Sequence, residues 1–247
     1  MGMILLSGVV LFTACRKKDT NTATQQPDND YSTANDNNLS ESAANDAMSM
    51  GSQLSENSGN LTTYKSSDPS QQFQAPELML ATACATISPT MSGTIITGYT
   101  VDFGTSGCVG QDYRTRKGKL VFDFSQSSPG SNRYRKPGFK MLISSQNYIV
   151  DGNAVALSKT VTNTSPLAIS GQTAYTGTNL TWHIDANVNI TKSGGGNVSW
   201  NCSRDKELIN SNDPTCYKGQ LQAIDWTKAK IKLNGNANGT NSSGESY

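Results

Sequence analysis

The feature that most constrains the fold of this chain is a strict two-residue alternation of apolar and polar side chains. It is clearest over residues 181–190. The apolar positions there are Trp182, Ile184, Ala186, Val188 and Ile190. Because successive side chains of a strand point to opposite faces, this pattern predicts a strand with one buried face. A helix would need apolar residues three and four positions apart, and no long pattern of that kind occurs after residue 75.

The same alternation recurs along residues 76–247, and at residues 95–103 it places Ile95, Tyr99 and Val101 on one face. Asp151-Gly152 separates two further strands, and an Asp-Gly pair favours the type I′ turn of a hairpin. These patterns predict an all-β fold, an antiparallel meander of hairpins with one face on a core. They leave open whether it forms a curved sheet, a sandwich or an open barrel.

The N-terminus has the organisation of an export signal. Residues 3–14 form an apolar run (MILLSGVVLFTA), which is shorter than the ~20 residues of a membrane-spanning helix but matches the core of a signal peptide. Thr13 and Ala14 precede Cys15, and this arrangement resembles a bacterial lipobox. The resemblance implies that Cys15 is acylated, with palmitate among the chains, and that residues 1–15 are a lipoprotein signal peptide with its lipidated cysteine. The alternative is a hydrophobic N-terminus with a chance cysteine.

Residues 16–75 differ in composition from the rest of the chain. Ser, Thr, Asn, Gln and Asp dominate, and four basic and eight acidic residues lie between residues 16 and 74. Such a segment cannot bury enough apolar surface to offset chain entropy, so we predict a disordered polar linker. A weak helical pattern runs from Leu39 to Leu54 with Ser40 as a candidate cap, but Gly51 and many Ser and Asn residues argue against a helix.

The last residues of the chain, 234–247, are again polar (NGNANGTNSSGESY). Ser242-Ser243-Gly244 has the composition of a turn, after which a second strand would only begin at Tyr247. We therefore expect the all-β domain, residues 76–247, to be truncated at its C-terminus.

Four cysteines remain when Cys15 is set aside: Cys84, Cys108, Cys202 and Cys216. An even number in an exported protein favours disulfides. Three pairings are possible, and the local ones, Cys84–Cys108 and Cys202–Cys216, are preferred. Four thiolates could instead bind zinc, but no Cys-x-x-Cys spacing occurs, so neither a metal site nor a cofactor is predicted.

The sequence contains no recognisable catalytic motif. His183, the only histidine, lies on the polar side of its strand beside Asp185, where an exposed polar role is favoured over a His–Asp pair that activates a distant serine. Gly-x-Ser-x-Gly elbows, phosphate-binding glycine loops and calcium loops are absent. Asp102, Asp123 and Asp185 could converge as glycosidase-type carboxylates, but solvated aspartates are the favoured interpretation.

Two basic clusters flank the strand predicted at residues 120–124. The members are Arg114, Arg116, Lys117 and Lys119 in the first cluster and Arg133, Arg135 and Lys136 in the second. With Tyr113 and Tyr134 they form a candidate patch for anionic sugars, lipid headgroups or an acidic partner. The favoured alternative is that they keep strand edges soluble. From residue 76 onward sixteen basic residues face eleven acidic ones, too small a surplus to predict nucleic-acid binding.

Two segments carry a family resemblance: VDFGTSGCVGQDYRTRKGKLVFDFS (residues 101–125) and NYIVDGNAVALSKTVTNTS (residues 147–165). They resemble a group of uncharacterised lipoproteins of the Bacteroidota, which share the Asp-x-Gly strand end, the Gly-Cys pair and the Tyr-x-Val-x-Gly hairpin followed by Thr-Val-Thr-Asn. SWNCSRDKELI (residues 199–209) matches their third block more loosely, and a Cys202–Cys216 pair departs from it. The resemblance implies lipidation at Cys15 and an all-β fold, and it implies no catalytic residue.

Together these features predict a membrane-anchored envelope lipoprotein, exported and held in the outer membrane on its surface or periplasmic side. The leading role is a non-catalytic binding or structural module whose partner is a glycan or another envelope or surface protein. One alternative is a glycan-processing hydrolase that uses sheet-face carboxylates. The other is a carrier of an apolar ligand, which needs a hollow apolar sheet face.

Overall fold

The computed structural model describes residues 31–56, 84–166, 179–211, 213–218 and 223–247. The predicted signal peptide with Cys15 lies outside these ranges, as do residues 16–30 and 57–75 of the predicted linker. Within the described ranges, no helix has both the length and the apolar character needed to cross a membrane.

The described residues form one helix and a large open antiparallel sheet. The elements are α1 (Ser32–Glu56), β1 (Thr86–Ser92), β2 (Ile95–Asp102), β3 (Cys108–Val109), β4 (Thr115–Asp123), β5 (Lys140–Val150), β6 (Asn153–Asn163), β7 (Leu180–Thr191), β8 (Asn197–Leu208), a 3₁₀ turn (Pro214–Cys216), β9 (Tyr217–Lys218), β10 (Ala223–Ile224) and β11 (Ile231–Thr240). The sheet order is β1-β2-β4-β5-β6-β7-β8-β11, with β3 on β4, and β9 and β10 pair separately. The predicted antiparallel meander is confirmed, and the sheet is not closed.

The alternation that predicted the longest strands is confirmed in β7. Every second residue from Leu180 to Ile190 is buried, and the residues between them are half-buried or exposed. The predicted turn between β5 and β6 is also confirmed, because Asp151 and Gly152 have φ angles of 50° and 84°. A type I′ turn requires positive φ at both central residues.

The alternation predicted for β2 is wrong at its first residues. Ile95 was expected on the buried face but is 61% exposed, whereas Ile96 is buried. In the β1–β2 pairing Thr90 faces Gly98 and the next residue faces Ile96, so Thr97 is an extra residue in β2. One extra residue exchanges the two faces of a strand, which explains the reversal.

Helix α1 corrects the prediction of a disordered linker for residues 32–56, within the predicted range 16–75. Residues 32–56 form a 25-residue α-helix that packs against β5, β6, β7 and β8. We call the sheet face that carries α1 the inner face, and the opposite one the outer face. The helix buries Ala43, Ala44 and Ala47 almost completely. Small side chains give a weak apolar pattern in the sequence, yet they let a helix approach a sheet closely, so the polar composition concealed the helix.

The C-terminal segment continues the sheet. β11 pairs with β8 along its full length, from Ile231 opposite Leu208 to Thr240 opposite Ser199. The polar residues from Asn234 to Thr240 belong to this strand. The predicted turn is confirmed, because the Gly244 N–H donates to the Asn241 carbonyl at 3.0 Å and Ser246 bridges back to Thr240.

The cysteines agree with one of the two predicted pairings. Cys84 and Cys108 form a disulfide, with their Cα atoms 5.5 Å apart. The Cys202–Cys216 pair is wrong, because both residues are free and buried. Cys202 lies in β8 six residues before that strand ends, about 20 Å of extended chain, and Cys216 follows in a 3₁₀ turn beyond it.

Candidate functional site

Four ion pairs attach α1 to the rest of the fold. They are Asp36–Lys192 (2.7 Å), Glu41–Arg204, Asp46–Arg116 (2.7 Å) and Glu56–Arg135 (3.4 Å). In every pair the carboxylate belongs to the helix and the cation to the sheet or its turns. The acidic segment and the basic domain seen in the sequence are therefore charge-complementary parts of one packed structure.

Arg116 lies at the centre of the most buried of these contacts. Its side chain is 1% exposed and donates hydrogen bonds to both Asp46 and Asp112, at distances of 2.6 to 3.0 Å. Burial alone would lower the pKa of Arg116, but the two carboxylates raise it above its usual value. This guanidinium is part of the helix–sheet interface and is not available to an external anion.

The predicted basic patch does not come together as one surface. The first cluster begins at the start of β4 and the second lies in the loop after its end, so about 23 Å of strand separates Arg116 from Asp123, where that loop begins. Arg114 binds Asp151 at 3.1 Å and Lys119 binds Asp102 at 3.0 Å. Tyr134, offered as an aromatic neighbour, is fully buried.

The other four members of the predicted basic patch do not meet at one point either. Arg135 is occupied by Glu56, with its main-chain N–H also donating to that carboxylate at 2.9 Å. Lys136 donates to the Gly130 carbonyl at 3.1 Å. Lys117 and Arg133 are half-buried. With Arg116 buried, the patch loses its central residue, and the structure does not assemble the rest around a common point.

The inner face is left uncovered beside β11. Residues directly opposite one another on antiparallel strands share a face, and Leu233 lies opposite Lys206 while Ile231 lies opposite Leu208. Ile231 and Leu233 are therefore on the inner face, yet they are 41% and 51% exposed. Helix α1 packs on β5 to β8, so these two apolar side chains lie beyond it.

A groove of about 300 Å³ lies between α1 and β11. Its lining residues are Asn45, Met48, Ser49, Ser52, Ile184, Lys206, Trp226, Ile231 and Leu233. The helix provides the polar wall and Met48, whereas the sheet and the loop before β11 provide most of the apolar wall. Ligand sites typically have volumes from ~300 Å³ upward and mostly apolar walls with a few polar groups, and this groove has that composition.

Lys206 is the ionisable residue of the groove lining. Its Nζ lies 4.1 Å from the ring centroid of Trp226, 5.7 Å from that of Trp182 and 5.8 Å from that of Tyr134. Tyr134 and Trp182 are stacked with centroids 4.7 Å apart. Rings at these distances attract a cation through their faces, so the three side chains hold the ammonium at the base of the groove.

The charged form of Lys206 is destabilised relative to its neutral form by its surroundings. Burial, and then the like charge of Lys159, lowers the pKa of Lys206 to about 8. Lys159 is itself almost fully buried beneath α1 and donates from Nζ to the Ala44 carbonyl at 3.0 Å. Burial lowers the pKa of Lys159 to about 8 as well. The inner face near the groove therefore carries positive charge in surroundings of low polarity.

A second cluster surrounds His183 on the outer face. His183 Nδ1 lies 2.8 Å from Asp205 Oδ1, and Nε2 lies 3.3 Å from Asp185 Oδ2. Both nitrogens donate only when the imidazole is protonated. The hydrogen bond to Asp205 accordingly raises the pKa of His183. The sequence placed His183 on the polar side beside Asp185, and the structure agrees.

The His183 cluster includes a serine but lacks the arrangement of a hydrolase. Ser203 Oγ lies 3.5 Å from His183 Nε2, the same nitrogen that faces Asp185. An occupied Nε2 cannot accept the serine proton, which a general base must do. The backbone N–H groups of β7 and β8 at these positions belong to a continuous ladder, so they do not converge on a developing oxyanion.

The three sheet-face carboxylates do not form a glycosidase-type pair. Asp102 lies opposite Lys119 and Asp123 opposite Gly98, which separates the two aspartates by about 13 Å along the strands. Asp185 is on β7, three strands from β4 and about 14 Å away. Both separations exceed the ~9.5 Å upper limit for such catalytic pairs. Among the described residues, no cluster of three or more His, Cys, Asp or Glu side chains could hold a metal ion.

Sequence patterns did not identify the groove, although one signal was present. Lys206 falls at an inner-face position of β8, between Arg204 and Leu208, where the alternation calls for an apolar residue. A lysine in phase with Val198, Trp200 and Cys202 is a buried charge and therefore a candidate functional group. The other wall, α1, comes from a segment predicted to be disordered.

The fold and the groove define the class of this protein: an open antiparallel sheet covered on one face by a single helix, with a lysine-based groove at its uncovered edge. No protein-family model matches the chain, and no curated protein or solved structure matches it either.

Proposed function

We propose that the protein is a lipid-anchored envelope binding module whose ligand site is the groove between α1 and β11. The observation that carries the proposal is the groove itself, with exposed Ile231 and Leu233 beside the half-buried Lys206. An apolar strip of this kind on an inner face is normally covered, and here it borders a space of about 300 Å³. A ligand would complete the burial.

The chemistry of the groove favours binding over catalysis. Of its nine lining residues, Lys206 is the one that ionises near neutral pH. The two hydroxyls of the lining have hydrogen bonds within the helix: Ser52 Oγ donates to the Ser49 carbonyl at 2.9 Å, and Ser49 Oγ accepts from Gln53 Nε2 at 3.1 Å. Neither is paired with Lys206 as an activated nucleophile would be with its base. A glycan-processing hydrolase is further disfavoured by the spacing of Asp102, Asp123 and Asp185.

Anchoring rests on the sequence of residues 1–15, with lipidation at Cys15. The start of α1 changes the geometry of this proposal. Cys15 precedes the first helical residue, Ser32, by 17 positions, which allows a reach of at most ~60 Å. The tether is therefore much shorter than the 60-residue linker that composition alone predicts. It keeps the binding module close to the outer membrane, on whichever side it faces.

The groove is tested with N-phenyl-1-naphthylamine, a neutral apolar fluorophore. Leu233→Asp places a charge in the groove and is expected to lower the probe affinity at least tenfold. Ile95→Asp is the matched control, because Ile95 is a similarly exposed apolar residue in β2, near the opposite edge of the sheet, and it should bind the probe like wild type. Equal binding by wild type and Leu233→Asp would remove the groove as the ligand site.

The anchor is tested separately in cells. Cys15→Ala is expected to abolish incorporation of labelled palmitate and to move the protein from the membrane to the soluble fraction. Membrane association that persists in Cys15→Ala would contradict the anchoring proposal without affecting the groove. Protease treatment of intact cells, with a periplasmic marker, then distinguishes the surface from the periplasmic side.

A further inference from the structure

Lys206 differs from four of the other cations that face α1; Lys159, the fifth, donates to the Ala44 carbonyl. Arg116, Arg135, Lys192 and Arg204 each bind a carboxylate of the helix. Lys206 forms no ion pair with any residue that the structure describes, and its Nζ contacts are the faces of aromatic rings. Rings attract a cation but do not neutralise it. The half-buried ammonium of Lys206, which borders the groove, therefore lacks a counter-ion among the described residues.

Among the described residues, none of those that line the groove with Lys206 is acidic. Helix α1 contributes Asn45, Met48, Ser49 and Ser52 to the groove, and β11 contributes Ile231 and Leu233. All six are uncharged. The charged group that acts on Lys206 is Lys159, which adds positive potential. A ligand anion would remove the like-charge repulsion and complete the hydrogen bonding of the ammonium.

We infer that the groove binds a single-chain monocarboxylate amphiphile of the fatty-acid class, with its carboxylate on Lys206 Nζ and its chain against Ile184, Ile231 and Leu233. This inference rests on the proposed function and specifies its ligand. One lysine matches one negative charge, whereas a phosphate monoester carries about −1.5 to −2 at pH 7. A space of about 300 Å³ suits one alkyl chain rather than two. The cationic position inside the aromatic rings is already occupied by Lys206, which disfavours a cationic ligand.

The test compares dodecanoate with dodecanol, which share a chain and differ in charge. Each is titrated against wild-type protein carrying N-phenyl-1-naphthylamine, at pH 7 and below the micellar concentration. Dodecanoate is expected to displace the probe at about a tenfold lower concentration, the effect of one charge-assisted hydrogen bond. Lys206→Gln should abolish this preference and leave dodecanol displacement within about twofold of wild type.

Lys232→Gln is the matched control. Lys232 lies on the same edge of the sheet, in β11, but its side chain is 68% exposed and lies 3.9 Å from Glu207. Lys232→Gln removes one positive charge, as Lys206→Gln does, but leaves the groove unchanged. The preference for dodecanoate over dodecanol should therefore persist in Lys232→Gln. A preference that survives in Lys206→Gln, or is absent from wild type, would overturn the inference while leaving the groove intact as a binding site.

A second measurement keeps the inference testable if Lys206→Gln does not fold. In wild type the preference for dodecanoate should be present at pH 7 and lost by pH 10, because Lys206 is then neutral and dodecanoate remains charged. Dodecanol binding should not change over the same range. A preference unchanged at pH 10 would overturn the inference. If wild type binds neither the probe nor either amphiphile, it is the proposed function that fails.

Discussion

Gly51 of α1 lies directly against Met141 of β5: a Cβ on this glycine would be 2.6 Å from the Met141 Sδ and 2.7 Å from a ring carbon of Phe122. No real Cβ tolerates these distances, so the closest approach of helix and sheet depends on the missing side chain. Gly51→Ala should destabilise the protein by about 1 kcal/mol or more, although alanine is the better helix former by ~1 kcal/mol. Urea denaturation measures the change. Ser42→Ala, at an exposed helix position, is the control, and a gain in stability at Gly51 would contradict the packing.

The buried contact of Asp46 with Arg116 should be worth far more than an exposed pair. Asp46→Ala leaves the buried guanidinium with Asp112 as its remaining carboxylate partner and is expected to cost about 2 kcal/mol. Lys119→Ala, which breaks the exposed pair with Asp102, should cost at most about 1 kcal/mol. Equal losses in chemical denaturation would show that Arg116 is hydrated rather than buried.

Glu56 should make the fold less stable as pH rises. Burial raises the pKa of Glu56 to about 7, against the opposing charge of Arg135. Between its usual pKa of about 4.5 and 7, the folded state holds a proton that the unfolded state has lost, so the free energy of unfolding falls across this window. Glu56→Gln should flatten that part of the profile, and Glu245→Gln, at an exposed position, should not. An unchanged profile in Glu56→Gln would contradict the burial of this carboxylate.

The two aspartates beside His183 should affect its titration unequally. The hydrogen bond with Asp205 is the main cause of the raised pKa of His183, and Asp185 contributes less. In an NMR titration of the imidazole, Asp205→Asn should lower the pKa more than Asp185→Asn. Because the raised pKa belongs to the folded state, the protonated pair stabilises the fold below about pH 6.5 and this contribution is lost as pH rises through the raised pKa. An identical response in the two variants would contradict the geometry.

The cysteines of the described domain should divide into one disulfide and two thiols. Unfolded but unreduced protein, carrying Cys15→Ala, should react with two equivalents of a thiol reagent, from Cys202 and Cys216. Replacing Cys84 and Cys108 together by serine should cost about 3 kcal/mol, the effect of opening a loop of this length. A Cys202→Ser, Cys216→Ser double variant should retain the disulfide. Zero reactive thiols would restore the pairing that the sequence favoured.

The strands were predictable because apolar and polar residues alternate along β7 and β8. The turn between β5 and β6 was predictable because Asp151-Gly152 favours a type I′ turn. The helix was not, since most of its buried residues are small or polar and only Met48, Met50 and Leu54 are large and apolar. Gly51 is a poor helix former in isolation but fits the tight contact with Met141. The bulge at Thr97 was equally hidden, because an extra residue shows only in the pairing with β1. The groove depends on the helix for one wall, so it could not be predicted before the helix was known. Lipidation at Cys15 stays a prediction.

The first turn of α1 is joined to the last residues of the chain: Asp36 accepts hydrogen bonds from the Ser242 main chain and hydroxyl at 2.8 and 2.7 Å, and Asn241 donates to Thr33 at 2.8 Å. If the protein hangs from Cys15, mechanical load enters the fold at this turn. The ion pairs of Asp36, Glu41, Asp46 and Glu56 would then bear the force one after another from the N-terminal end of α1, while the hydrogen bonds between strands bear none. Pulling the folded protein by its N-terminus in a force experiment should therefore release α1 before any strand, and a first rupture in the sheet would show that load bypasses the helix.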